Sequence, residues 1–151
     1  MSRETYVLLQ WTWGILQNLS GGLRFLFSLF RPHALYRGAV VTPWKKQSSA
    51  AVGMFIFLHV GDPDILSGKK PFRPEELPPW EKRVLVHEYG HTLQSAWLGP
   101  FFLPFIALPS TLWAGFGGPV RRRHHISYYR FYPEKWANHA GKAATGEEVP
   151  S

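Results

Sequence analysis

VLVHEYGHTL, residues 84–93, contains His87-Glu88-Tyr89-Gly90-His91, a His-Glu-x-x-His arrangement. On a helix, residues four apart lie on one face, one above the other. His87 and His91 can therefore turn their imidazoles toward a single ion. Glu88 follows the first histidine and reaches the rim of the same site, where it can take a proton from a metal-bound water. Zinc accepts imidazole nitrogens and lowers the pKa of bound water to about 7. The flanks suit a buried helix, since Val84, Leu85, Val86, Tyr89, Gly90, Thr92 and Leu93 are all uncharged. Glycine inside a helix costs about 1 kcal/mol relative to alanine. A close backbone approach by a neighbouring strand would explain Gly90. The bland alternative is a core helix with two hydrogen-bonded histidines, but such a core has no need of two His and a Glu at metalloprotease spacing.

Outward from this helix the chain is punctuated. Pro78-Pro79 opens the helix, Glu81 adds favourable charge near its start, and Gly99-Pro100 stops it. Residues 61–79 hold five prolines and two glycines and read as a surface loop. Asp62 and Asp64 within it could bind a metal, although a solvated turn is the plainer role. Residues 51–60 (AVGMFIFLHV) form the strongest strand signal, apolar on both faces, with His59 near its end. Residues 39–42 (AVVT) read as a second strand, and a hairpin of the two beside the metal helix is the minimum scaffold.

Two apolar runs flank this centre. Residues 6–30 read as one long helix that could span a bilayer, lie in its interface or pack on the domain. Gln10, Gln17, Asn18 and Arg24 interrupt it, and Trp11 and Trp13 suit an interface. Residues 92–120 carry no Asp, Glu, Lys or Arg, and Pro104 and Pro109 predict a bent or re-entrant segment. Arg121-Arg122-Arg123-His124-His125 follows, where lipid headgroup contacts would sit. A short helix is expected from Pro133, stopping at Gly141, with a disordered tail over residues 143–151.

The chain has 151 residues, enough for one domain with a core. With no cysteine, disulfides, thiolate metal sites and a thiol nucleophile are excluded. The net charge is +7, but apart from the arginine run the positives are scattered, and the aromatics lie in apolar runs rather than among them. That distribution fits an anionic membrane surface on the cytoplasmic side better than nucleic acid.

A catalytic zinc needs a third protein ligand and one open position. One class of His-Glu-x-x-His enzymes places a glycine and a third histidine three and six residues after the second; Gln94 and Trp97 stand there, so that class is excluded. Glu134, His124, His125, His139, Asp62 and Asp64 remain. Glu134 begins the last helix, with Asn138 one turn later. Taken together, His87-Glu88-x-x-His91 and the downstream Glu134-x-x-x-Asn138 resemble the gluzincin clan of zinc metallopeptidases. That resemblance implies Glu134 as third ligand and Asn138 as the residue that orients His87. Thermolysin-like members of the clan have Asp at this last position; Asn can still accept a hydrogen bond but carries no charge. The order of blocks, from Thr12-Trp13-Gly14 through Gly53-Met54-Phe55-Ile56-Phe57 and Leu98-Gly99-Pro100 to residues 131–138 (FYPEKWAN), also resembles a family of small bacterial zincin-like proteins, over about residues 8–141.

The expectation is therefore an α+β zincin-like domain over residues 32–142, preceded by an apolar helix over 1–31. Its function would be zinc-dependent hydrolysis of a peptide or protein substrate, with Glu88 as general base. Tyr128, Tyr129 and His125 are candidates to stabilise the oxyanion, with Tyr129 foremost. The rival is a non-catalytic membrane-associated zinc protein, its fourth position closed by His124, His125 or His139. An intramembrane protease would need an Asp in a later apolar helix, and none is present.

Overall fold

The computed structural model describes residues 1–151. The fold is α+β, with a four-stranded mixed sheet against a helical layer. The strands are β1 (Ala34–Tyr36), β2 (Ala39–Trp44), β3 (Ala50–Val52) and β4 (Phe55–His59), in the order β1-β2-β4-β3. The helices are α1 (Arg3–Trp11), α2 (Ile15–Leu26), α3 (Pro63–Leu66), α4 (Pro79–Leu98), α5 (Leu108–Phe116), α6 (Gly118–His124) and α7 (Tyr132–Thr145).

The strand expected over 51–60 is two strands. Gly53, at φ +61°, turns the chain between β3 and β4, which pair antiparallel. A side chain there would also collide with the backbone of Asn18. The expected hairpin between 39–42 and 51–60 is likewise corrected: β2 and β4 run parallel, from Val40 opposite Phe55 to Trp44 opposite His59. The chain crosses over at residues 45–49 to lay β3 on the outer edge first. Phe55, Ile56, Phe57 and Leu58 are all buried, as their apolar faces require. β1 went unread, three residues being too short to show a period. Pro43 is tolerated because β1 pairs only with Ala39–Val41 of β2, so no ladder bond is lost there.

The single N-terminal helix is also corrected. The chain breaks at residues 12–14, and α1 and α2 lie along the domain, each with one buried face. No helix is long and apolar enough to cross a membrane. The polar residues that seemed to interrupt an apolar run are the buried ones. Gln10 donates from Nε2 to the Thr92 carbonyl (2.8 Å), and Gln17 does the same to the Gly99 carbonyl (2.5 Å). Asn18 accepts from the Met54 amide through Oδ1 (2.8 Å).

α4 begins at Pro79 and ends at Gly99, whose φ of +53° caps it, as the flanking signals predict. Its middle, from Leu85 to Ala96, is wholly buried between the sheet and α7. Gly90 does answer a close approach, but by a helix rather than a strand. A Cβ at Gly90 would run into the Ala137 carbonyl of α7, and one at Gly141 into the Val86 carbonyl of α4. The two glycines let the helices pack backbone to backbone. Gly141 is thus a packing residue within α7 and no stop signal. α7 continues to Thr145, with Gly146 at φ +74° as its cap, so the tail boundary expected at 143 falls inside the helix. Beyond it, Glu147 accepts from the Tyr36 hydroxyl (3.2 Å) and pairs with Lys82 (3.3 Å).

The segment after α4 is bent, as its prolines predict. Its winding passes from a 3-10 turn (Gly99–Phe101) through a π turn (Leu103–Ala107) into α5. Phe102, Ile106 and Ser110 of this segment line the cleft at the site.

Candidate metal centre

Two helices supply the site. α4 carries His87, Glu88 and His91, and α7 brings Glu134 from its first turn. The close glycine contacts between these helices set the separation. Glu134 Oε2 stands 3.1 Å from His87 Nε2 and 3.3 Å from His91 Nε2. One ligand atom from each of the three buried residues lies within 4.8 Å of the others. This is a group that could hold a metal ion.

The hydrogen bonds around it decide which nitrogens face inward. Asn138 donates from Nδ2 to the Pro150 carbonyl (2.8 Å), which leaves Oδ1 toward His87 Nδ1 (2.8 Å). Gln94 donates from Nε2 to the Pro133 carbonyl (2.9 Å), which leaves Oε1 toward His91 Nδ1 (2.7 Å). Both acceptors require a proton on Nδ1. Each neutral imidazole then presents a bare Nε2 lone pair, and both lone pairs face the same carboxylate oxygen. Three electron-rich atoms converging in a buried site repel one another unless a cation, a metal ion or bound protons, sits among them. The two imidazoles and one carboxylate are a donor set that suits zinc.

The other carboxylate oxygen is held as well. Ser110 of α5 donates its hydroxyl to Glu134 Oε1. Burial alone would raise the Glu134 carboxyl. In the metal-free centre, where protons on Nε2 take the place of a metal, hydrogen bonds from His87, His91 and Ser110, with the His91 charge, outweigh it and hold the carboxyl well below the usual carboxylate range. For His91, burial works against the proton, but the hydrogen bond and charge of Glu134 prevail and raise its pKa. Glu88 is moved up, chiefly by burial, with His87 and His91 pulling the other way.

The site opens into a cleft of about 600 Å³. Glu88, Tyr128 and Tyr129 line it beside the three ligand candidates. The Tyr129 ring stands edge-on to His87 at 5.0 Å between centroids. Burial, then the negative charges of Glu88 and Glu134, push the Tyr129 hydroxyl up to about 12, so it keeps its proton at neutral pH. Tyr128 is moved up mainly by burial.

His125 is elsewhere, exposed at the left-handed end of α6, and His124 and His139 are exposed too. None of these three joins the cleft. Asp62 caps α3 through the Asp64 amide (2.9 Å) and pairs with Lys70 (3.2 Å), and neither acid reaches the centre. His59 does line the cleft, and its Nδ1 is buried without a partner. The edge beside the cleft belongs to Ala50, Ala51 and Val52 of β3, while β4 lies inside the sheet. Gln94 and Ser110 escaped the sequence reading. Gln94 had a signal, because three residues after His91 is the same helical face. Ser110 had none.

A comparison of the chain with known protein families, curated proteins and solved structures found no match.

Proposed function

We propose that the protein is a zinc-dependent hydrolase of the gluzincin type, acting on a peptide or protein substrate. The observation that carries this is the pair of outward-anchored histidines. Asn138 and Gln94 commit both Nε2 lone pairs, with Glu134, to one point. Zinc held there by His87, His91 and Glu134 would supply an acidified water and polarise a scissile carbonyl.

The remaining chemistry falls to side chains of the cleft. Glu88 takes the proton of the attacking water and delivers it to the leaving amine. Its raised pKa brings it closer to the range in which a carboxyl does both at neutral pH. Tyr129, protonated and beside His87, can donate to the developing oxyanion. Ser110 keeps Glu134 from rotating. The free side of β3 offers backbone groups to an extended chain.

Support over the non-catalytic zinc reading comes from the fourth position. His124, His125 and His139, the residues that could have closed it, are exposed and outside the cleft. The test is Glu88→Gln against a broad peptide library. Zinc stoichiometry should hold while turnover falls at least 100-fold, the lower end of what a positioned base contributes. Turnover near that of the unaltered protein would refute the role of Glu88. Failure of the unaltered protein to cleave any peptide would favour the non-catalytic reading.

A further inference from the structure

α2 is turned inside out. Its buried face carries Gln17, Asn18 and Gly21. Its outward stripe is Leu16, Leu19, Leu23 and Leu26, each more than half exposed. Phe27, 85 % exposed, and the fully exposed Phe30 continue the stripe. A helix on a water-facing surface has the opposite arrangement.

A second segment does the same. Phe102, Ile106 and Ser110 of residues 99–116 look into the metal cleft. Phe101, Phe105, Leu108, Leu112 and Phe116 between them look outward and are exposed. The two segments meet at the start of α2, where the half-exposed Trp13 lies 6.4 Å from Phe101 and Phe101 lies 6.3 Å from Phe105, ring to ring. Contiguous apolar surface of this extent marks an interaction site.

Charge identifies the occupant. Residues 5–61 and 89–133, which contain both apolar segments, include no Asp or Glu. The rim of the face is basic. Arg24, Arg31, Lys45 and Lys46 surround a surface cleft of about 350 Å³ next to Phe27. None of these four is in an ion pair. Arg121, Arg122 and Arg123 stand in α6, just after the second segment. A second copy of the chain would set this rim against its own charge. A bilayer with anionic headgroups answers both the apolar stripe and the basic rim.

We propose that this face seats the protein in the plane of an anionic phospholipid surface. The leucines and phenylalanines enter the acyl region, and the cleft between Arg24 and Lys46 holds a lipid phosphate. No helix crosses. Arg24 lines both this cleft and the metal cleft, so the metal cleft opens beside the headgroups. The inference stands independently of the hydrolase reading.

The experiment is flotation of the full-length protein with vesicles of phosphatidylcholine alone or with one third phosphatidylglycerol. Binding to the anionic vesicles, weakening as salt is raised, is expected. Each basic residue near such a surface is worth about fivefold in affinity, so Arg31→Gln/Lys45→Gln/Lys46→Gln should cost roughly 100-fold. Phe27→Ser/Phe30→Ser should weaken binding to both vesicle types. These residues are exposed, so both variants should keep the metal content and melting temperature of the unaltered protein. The proposal is overturned if the full-length protein stays with the unbound fraction. It is equally overturned if both variants float like the unaltered chain, or if a stable dimer buries the leucine stripe without lipid.

Discussion

Asn138→Ala isolates the contact that fixes the His87 tautomer. His87 is buried, and its Nδ1–H has one acceptor, Asn138 Oδ1, at 2.8 Å. With that acceptor gone, the tautomer that presents Nε2 to the metal carries an unsatisfied buried donor, at about 1–3 kcal/mol. The ring can avoid the cost by moving its proton to Nε2, but then it is no ligand. Either way metal binding bears the penalty, which at 1.4 kcal/mol per tenfold is about 5- to 150-fold in zinc affinity. That range brackets the roughly 10–100-fold typical of groups that orient a metal ligand. Asn138→Asp keeps the acceptor and adds charge, so it should bind zinc at least as tightly as the unaltered protein. The assay is zinc competition against a chromophoric chelator at fixed pH, with melting of the metal-free variants as a control on folding. An Asn138→Ala protein within twofold of the unaltered affinity would refute the tautomer argument.

Gln94→Ala should act on His91 by the same route and to a similar extent, measured in the same competition. Gly90→Ala tests the helix contact by its sign. Propensity alone would stabilise α4 by about 1 kcal/mol, whereas the collision with the Ala137 carbonyl should make the variant less stable by about 1–3 kcal/mol and loosen zinc. Denaturant melts of the metal-free proteins decide between them. The metal-free centre should also respond to pH from both sides. Glu134 is lowered, so its contribution is present above its ordinary value of 4.5 and lost on acidification. His91 is raised, so its contribution is present below its ordinary value of 6.5 and lost as pH rises through the folded value. The ion pair should therefore stabilise the metal-free protein most between those two values, and zinc binding near neutral pH should release protons to the buffer, which calorimetry in two buffers reads directly.

How far the sequence carried depended on whether a signal was local. His87, Glu88 and His91 share one helix, and their spacing alone brings them to one face. Glu134 and Asn138 lie more than forty residues on, and only the resemblance pointed to them. Ser110 sits in an apolar run with no spacing tied to the site, and it reaches Glu134 only because the bent segment folds back over the cleft. Polar residues in an apolar run have two meanings that the sequence alone does not separate. Gln10, Gln17 and Asn18 looked like interruptions of a membrane helix, yet they are the side chains that bond the backbone of the core. Gly141 shows the same limit. A glycine late in a helix reads as a stop, and close packing against another helix, invisible in the sequence, asks for the same residue.

The proposed chemistry depends on His87, His91 and Glu134 holding one zinc with a fourth position open. X-ray absorption at the zinc edge of the reconstituted protein, alongside metal analysis of Glu134→Ala, reads that coordination. One zinc per chain is expected, with two imidazoles and oxygen ligands at about 2.0–2.2 Å, and loss of that zinc in the variant. A chain that binds no stoichiometric zinc, a zinc with three or more imidazoles, or unchanged zinc in Glu134→Ala would contradict it.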